Sequence, residues 1–297
     1  MNNKMKKLVF VGYKQSYEKM EIDALSGCYE KNHIVLPKWK IKCISAVCFF
    51  RKELYHSIYG YFIRKEIRRI KNVDVIFSTD TLRDIKAVKK FNIPKVITFR
   101  NVFDGSFLPE TEQFINYTFD KGDSIKYKFR EFNVPIPSLN LISKYNESND
   151  YDFSFVGVDK GRKGVINNLS KVLESYQCNF IVFDKSPKFS YEEYLSELLN
   201  SKCVLEIAID GQSSNTMRYI EALYAGKKII TNNPYLIEHF LYRENNVLLF
   251  RTLEELKVMI DDFMAKPFDE SVFEQINEYK VNTVYEHILE DVKNMQS

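Results

Sequence analysis

The densest run of side chains suited to chemistry is residues 211–233, GQSSNTMRYIEALYAGKKIITNN. Arg218 and Glu221 stand three apart, so on a helix they share one face. An apolar, β-type run (203–209) and a small polar loop precede them. The helix is expected to begin at Asn215 or Thr216 and to stop at Gly226, since glycine suits the left-handed position after a helix end. A helix that starts at the carboxyl end of a strand presents unpaired amides and a partial positive charge, a natural seat for phosphate. These residue types offer a guanidinium and amides for an anion, and a carboxylate for hydroxyl groups. In isolation an Arg and a Glu so spaced form a solvated ion pair; the place after a strand end is what points to a ligand.

The segment is similar to the donor-binding region of GT-B glycosyltransferases, in particular bacterial enzymes that build lipopolysaccharide or capsule. The matching residues are Gln212, Thr216, Arg218, Glu221, Ala222, Leu223, Gly226, Lys227, Thr231 and Asn232, with looser likeness at 153–163 and 117–127. The resemblance implies a sugar transfer from a nucleotide diphosphate, UDP-linked, to a surface glycan or lipid-linked acceptor, with no further cofactor. It assigns to Glu221 the acceptance of hydrogen bonds from the ribose hydroxyls. Arg218 would neutralise the diphosphate, helped by the amides near Asn215 and Thr216. Gly157 would let phosphate or sugar approach the backbone, and Arg162 and Lys163 are second phosphate candidates. Two departures stand out. The acid that many retaining members carry eight residues before the helix glutamate is Ser213 here, and a family glycine is Ser214. Retention or inversion therefore stays open, and an epimerase or hydrolase of the same fold, or a non-catalytic binding module, stays as an alternative.

An inverting transfer also needs a group to deprotonate the acceptor. Asp80, just past the β-type run 73–77, is the first candidate, and Asp104 the second. The competing reading of Asp80 is an N-cap for a helix starting near Leu82. No His pairs with an acid or thiol at ligand spacing, and Asp150 and Asp152 precede their strand, so no metal site is expected. His239 reads as a packed side chain.

Elements must position these groups. Short β-branched and aromatic runs at 7–11, 33–36, 73–77, 95–99 and 115–119 alternate with helical segments, the clearest being 82–91. A second series follows at 152–156, 178–183, 203–209, 228–231 and 247–250. Alternation of this kind marks an α/β fold on parallel sheets. Ser190 and Glu193 form a capping box before the apolar face of Tyr194, Leu195, Leu198 and Leu199. Residues 134–150, with Pro135 and Pro137 and then a polar run, read as a linker containing one short strand at 139–142. The expectation is two Rossmann-like, doubly wound domains facing a cleft: an acceptor domain, 1–142, and a donor domain, 143–297.

With 297 residues, 45% of them hydrophobic, the chain has apolar material for two cores, and a net charge of +3 is too balanced for a dedicated nucleic-acid binder. The five cysteines, Cys28, Cys43, Cys48, Cys178 and Cys203, lack any CxxC pairing and read as reduced thiols. The opening basic stretch is followed by an apolar run that ends at Gly12, too short for a secretion signal, so the cytoplasm is the expected compartment. Residues 38–71 carry ten Lys or Arg against Glu53 and Glu66, interleaved with Trp39, Phe49, Phe50, Tyr55, Tyr59, Tyr61 and Phe62. Such a segment can lie on an anionic membrane surface, or turn its aromatics inward and solvate its charges; Gly60 is expected to break the helix.

Overall fold

The computed structural model describes residues 5–27, 29–185, 189–209 and 211–295, and Cys28 lies outside them. The chain divides into two compact units, residues 1–132 with 285–297, and residues 133–284. The division therefore falls at 132/133, ahead of the expected 142/143, and the last stretch returns to the first unit.

The first unit holds a six-stranded sheet of β1 (Lys6–Val11), β2 (Tyr29–Ile34), β3 (Val75–Thr79), β4 (Lys95–Phe99), β5 (Ile115–Thr118) and β6 (Arg130–Glu131), in the order β2-β1-β3-β4-β5-β6. The second holds β7 (Tyr151–Val158), β8 (Cys178–Phe183), β9 (Ser201–Glu206), β10 (Lys228–Thr231) and β11 (Val247–Leu249), in the order β11-β10-β9-β7-β8. Every pairing is parallel. Helices link the strands, which is why β3, β4 and β10 are buried throughout and read as unbroken runs of strand formers. In each sheet the first strand of the unit lies between the second and the third. The chain thus reverses direction beside β1 in one unit and beside β7 in the other, and the carboxyl ends of β1/β3 and of β7/β9 flank the two switch points.

Several elements differ from expectation, each for a local reason. Residues 139–142 lie in a helix, Leu139–Ser143, because the Ser138 hydroxyl accepts from the Leu141 amide and Ile142 turns fully inward. The expected strand 33–36 begins earlier, at Tyr29, where pairing with Lys6 extends it, and β9 stops at Glu206 rather than at 209. Gly60 breaks nothing: it lies inside the helix Lys52–Ile67, where a Cβ would meet the Ala87 Cα at 3.3 Å. Close packing on the helix Leu82–Val88 is its reason for being glycine. Helix 217–224 ends as expected, with Gly226 at φ +69° and the Lys227 and Gly226 amides donating to the Ala222 and Leu223 carbonyls.

The return of the C-terminus rests on Tyr285. Its ring meets Phe77 and Phe10 edge-on, with centroids 5.2 and 5.8 Å away, and its hydroxyl donates to Glu21 Oε1 at 2.6 Å. Further along, Asp291 accepts from Tyr117 Oη at 2.7 Å and pairs with Arg130 at 2.7 Å. Replacing Tyr285→Phe keeps the packing and removes one bond to a buried carboxylate, so urea unfolding should register a loss of about 1–3 kcal/mol.

Candidate functional site

At the carboxyl end of β7, alternate residues face one side of the sheet, placing Phe155 and Gly157 in line. Phe155 is buried and carries two guanidinium groups over its ring, Arg218 at 4.8 Å and Arg162 at 5.3 Å from the centroid. A Cβ at position 157 would sit 2.8 Å from Arg218 Nη2 and 3.4 Å from Arg162 Nη2. A side chain here would crowd Arg218 first, then the Phe155 ring at 3.2 Å and Arg162.

The two arginines reach this place from different elements. Arg162 precedes the helix Lys163–Val172, and its guanidinium donates to the carbonyls of Asp159, Val158 and Ile207. Arg218 belongs to the helix Met217–Tyr224, and donates through Nη2 to the Val156 carbonyl at 2.9 Å. Its ion-pair partner is Glu206 at the end of β9, at 2.8 Å, and not Glu221. Thr216 Oγ1 donates to the same Glu206 oxygen at 2.9 Å, so its side chain does not cap the helix that it precedes. Glu206 Oε1 and Arg218 Nε are buried and have no hydrogen-bond partner. An acceptor and a donor are thus left unused at the switch point, where each costs the site if nothing joins them.

Cations cluster here as well. Burial works against the Arg218 charge, but Glu206 holds it above the usual guanidinium value. Arg162 has no ion pair of its own: burial and then Arg218 push it down to about 10, although Glu206 and Asp159 act to raise it. Lys160 is lowered by burial and by both arginines. Three cations thus crowd one strand end, where Glu206 is the carboxylate that pairs directly with one of them, an arrangement suited to an anion.

Glu221 lies on the same helix and is 0% exposed. Its oxygens accept from Tyr191 Oη at 2.7 Å and Tyr194 Oη at 3.0 Å. Burial raises its carboxyl to about 7 even though both tyrosines favour the charged form. Tyr191 is buried and Tyr194 half-buried, so a ribose reaches Glu221 only where a tyrosine hydroxyl gives way. The capping box at Ser190 and Glu193 forms as expected and sets the pitch that aims both rings.

The remaining donor-side candidates do other work. Lys163 is exposed and pairs with Asp184 at 3.7 Å. Gln212 closes its own loop, donating to the Ser214 carbonyl at 2.8 Å, and Asn215 reaches Tyr279 Oη at 3.5 Å. Thr231, Asn232 and Asn233 hold the ends of β9 and β10 together through the Glu206 carbonyl, the Ala208 amide and the Ser214 carbonyl. His239 is packed, with Nδ1 accepting from the Leu241 amide and Nε2 on Tyr279 Oη. In the first unit, Asp80 follows β3 and accepts from the Arg100 amide at 3.2 Å, while Thr81 takes the N-cap position. Asp104 is exposed, and Ser106 holds its carboxyl below the usual value. Among the described residues no three His, Cys, Asp or Glu side chains are grouped to hold a metal. No described helix is long and apolar enough to cross a membrane.

Glu206, Phe155, Lys160, Tyr191 and Tyr194 line the candidate site and were not among the sequence-based site residues; Tyr194 was read only as part of a helix's apolar face. An acid near the end of an otherwise apolar strand, and two tyrosines three apart behind a capping box, were the available signals.

Two outcomes follow from this geometry. Gly157→Ala should displace a guanidinium and lower the thermal midpoint, whereas Ala at the open Gly164 should not. Because Glu221 is raised in the folded state, it favours folding while protonated and this contribution is lost as pH rises from the ordinary carboxyl range through about 7. Unfolding titrations across that range should show a shallower pH slope for Glu221→Gln than for the parent.

No protein-family model matches the chain, and no curated protein matches it. Among solved structures it is similar to AviGT4, a glycosyltransferase involved in avilamycin A biosynthesis, with a TM-score of 0.62 at 10% identity over 97% of each chain. It is also similar to Anabaena Alr3699/HepE, solved in complex with UDP and glucose, at TM-score 0.58 and 12% identity over 97% of this chain and 99% of that one. A third is the UDP-GlcNAc 2-epimerase from Neisseria meningitidis bound to UDP-GlcNAc, at TM-score 0.57 and 11% identity over 98% and 100%. Two Rossmann-like units with parallel sheets, matched along nearly their whole length by such structures, give this chain the GT-B fold.

Proposed function

We propose that this chain is a glycosyltransferase that moves a sugar from a UDP-linked donor to a bacterial surface glycan or its lipid-linked precursor, in lipopolysaccharide or capsule assembly. The observation that carries the reading is the pair of buried guanidinium groups, Arg162 and Arg218, that both approach Gly157 at the β7/β9 switch point, with Glu206 paired to Arg218 alone. A diphosphate would pair with these guanidinium groups and occupy the place where doubly wound sheets receive ligands. The uncapped start of helix 217–224 adds amides directed at the same anion. Structural likeness to a protein solved with UDP and glucose supports the choice of donor.

In the reaction, the bond between the anomeric carbon and the diphosphate oxygen breaks and a bond to the acceptor oxygen forms. Negative charge grows on the diphosphate, and Arg162 and Arg218 stabilise it without a metal, which makes fixed electrostatics the main catalytic contribution. Glu221 accepts from the ribose in exchange for the Tyr194 hydroxyl, the more exposed of its two partners. In an inverting transfer Asp80 takes the acceptor proton. Asp104 is the weaker candidate, since a lowered carboxyl pKa makes a poorer base. The chemistry places the enzyme in the cytoplasm, where nucleotide sugars are made.

Likeness to an epimerase favours a second reading, in which the donor alone is converted. Product analysis without acceptor separates the two: an altered sugar nucleotide supports epimerisation, and an unchanged one supports transfer.

Calorimetry with UDP tests the site. Arg218→Ala should weaken binding about 10- to 100-fold, the worth of a charge-assisted hydrogen bond. Glu221→Ala should weaken it too, while Tyr194→Phe should not, because it removes a competitor for the carboxylate. Unchanged affinity in Glu221→Ala would remove the ribose role. With an acceptor in hand, Asp80→Asn should lower kcat by about 10²–10⁴ while leaving UDP affinity intact, and chelators should leave the rate unaffected.

A further inference from the structure

The helices Lys38–Cys48 and Lys52–Ile67 form a hairpin on the first unit, and the first of them has two apolar faces. Ile44 and Cys48 are buried and Ile41 packs against the same core. On the opposite side Trp39, Cys43 and Val47 follow one another at helical spacing, and Phe50 follows in the turn that ends the helix. Trp39 is 65% exposed, Val47 64% and Phe50 fully exposed, with Cys43 exposed among them. A surface helix ordinarily turns charge to that side.

The turn that ends this helix sharpens the contrast. Phe49 and Phe50 both adopt positive φ, 40° and 63°, a region that aromatic residues rarely enter. That conformation presents both rings to solvent, Phe49 at 80% exposure. Around the stripe, residues 38–52 carry five basic side chains, Lys38, Lys40, Lys42, Arg51 and Lys52, and no acid. Two copies of the chain joined through this surface would bring five cations against five, so a second copy is disfavoured. An apolar ridge tipped by two phenylalanines and framed by lysines suits a bilayer: rings enter the acyl boundary and cations meet anionic headgroups.

We infer that the hairpin tip, Phe49 and Phe50 with the Trp39–Cys43–Val47 stripe, is a docking surface for anionic lipid bilayers. The surface belongs to the first unit alone and does not rest on the donor-site reading. If the acceptor is lipid-linked, the surface holds the enzyme where that acceptor resides.

Vesicle sedimentation tests it, with phosphatidylcholine alone and with phosphatidylcholine mixed with phosphatidylglycerol. The full chain should bind the mixed vesicles and bind the neutral ones roughly tenfold or more weakly. Phe49→Ser with Phe50→Ser should reduce binding to the mixed vesicles roughly tenfold or more. Circular dichroism should show that this variant remains folded, and its UDP calorimetry should match the parent, which separates this surface from the donor site. Lys42→Glu with Lys52→Glu gives a second variant with the same expected loss. The inference is overturned if the parent ignores anionic vesicles, or if both variants bind them as the parent does. It is equally overturned if the phenylalanine variant abolishes self-association of a parent that binds no lipid.

Discussion

A guanidinium buried at the end of a β-strand has to be answered by an anion, and in the second unit that answer is incomplete. Arg218 is paired with Glu206, yet Arg162 shares the same phenylalanine ring and is left with carbonyl partners. At Gly157 the Arg218 guanidinium, the Phe155 ring and Arg162 fill the space that a side chain would take. Thr216 gives its hydroxyl to Glu206 and so leaves the helix start uncapped. Glu206, Gly157 and Thr216, on three elements, are thus all arranged around the Arg218 guanidinium.

The first unit holds a useful contrast. Arg100, just past β4, is buried beside Glu21 and makes a bidentate pair with it at 2.7 and 2.6 Å, while Tyr285 donates to the same carboxylate. Both Glu21 oxygens are used, and burial is outweighed so that Arg100 stays well above the ordinary guanidinium value. That pair closes on itself and serves to hold the returning C-terminus. Both arginines keep a buried Nε without a partner, but the second unit's pair also has an unused carboxylate oxygen and a second cation pushed down to about 10. Two similar buried ion pairs in one chain therefore differ in how fully the carboxylate is used, both oxygens at Glu21 and one at Glu206.

Much of the architecture was legible because parallel strands covered by helices need β-branched and aromatic side chains on both faces, which shows as compact apolar runs. Nine of the ten observed strands longer than two residues coincide closely with such runs, and β2 is displaced toward its N-terminus by pairing with β1. Residues 139–142 misled because a Leu-rich run of that length is neutral between strand and helix, and the Ser138 cap decided it. Gly60 misled because a glycine that weakens an isolated helix is also what allows two helices to touch.

At the site, local spacing determined that Arg218 and Glu221 share a helix placed after a strand, that Gly226 ends that helix, and that Ser190 and Glu193 cap another. None of this depends on the rest of the chain, since capping and helical faces involve neighbours within four residues. Partner choice was different. Glu206 meets Arg218 across twelve positions, Tyr191 meets Glu221 across thirty, and Arg218 reaches the Val156 carbonyl across sixty-two. Only the winding of the sheet brings the ends of β7 and β9 side by side, so only the tertiary structure could decide which charges meet and which carboxylate is buried.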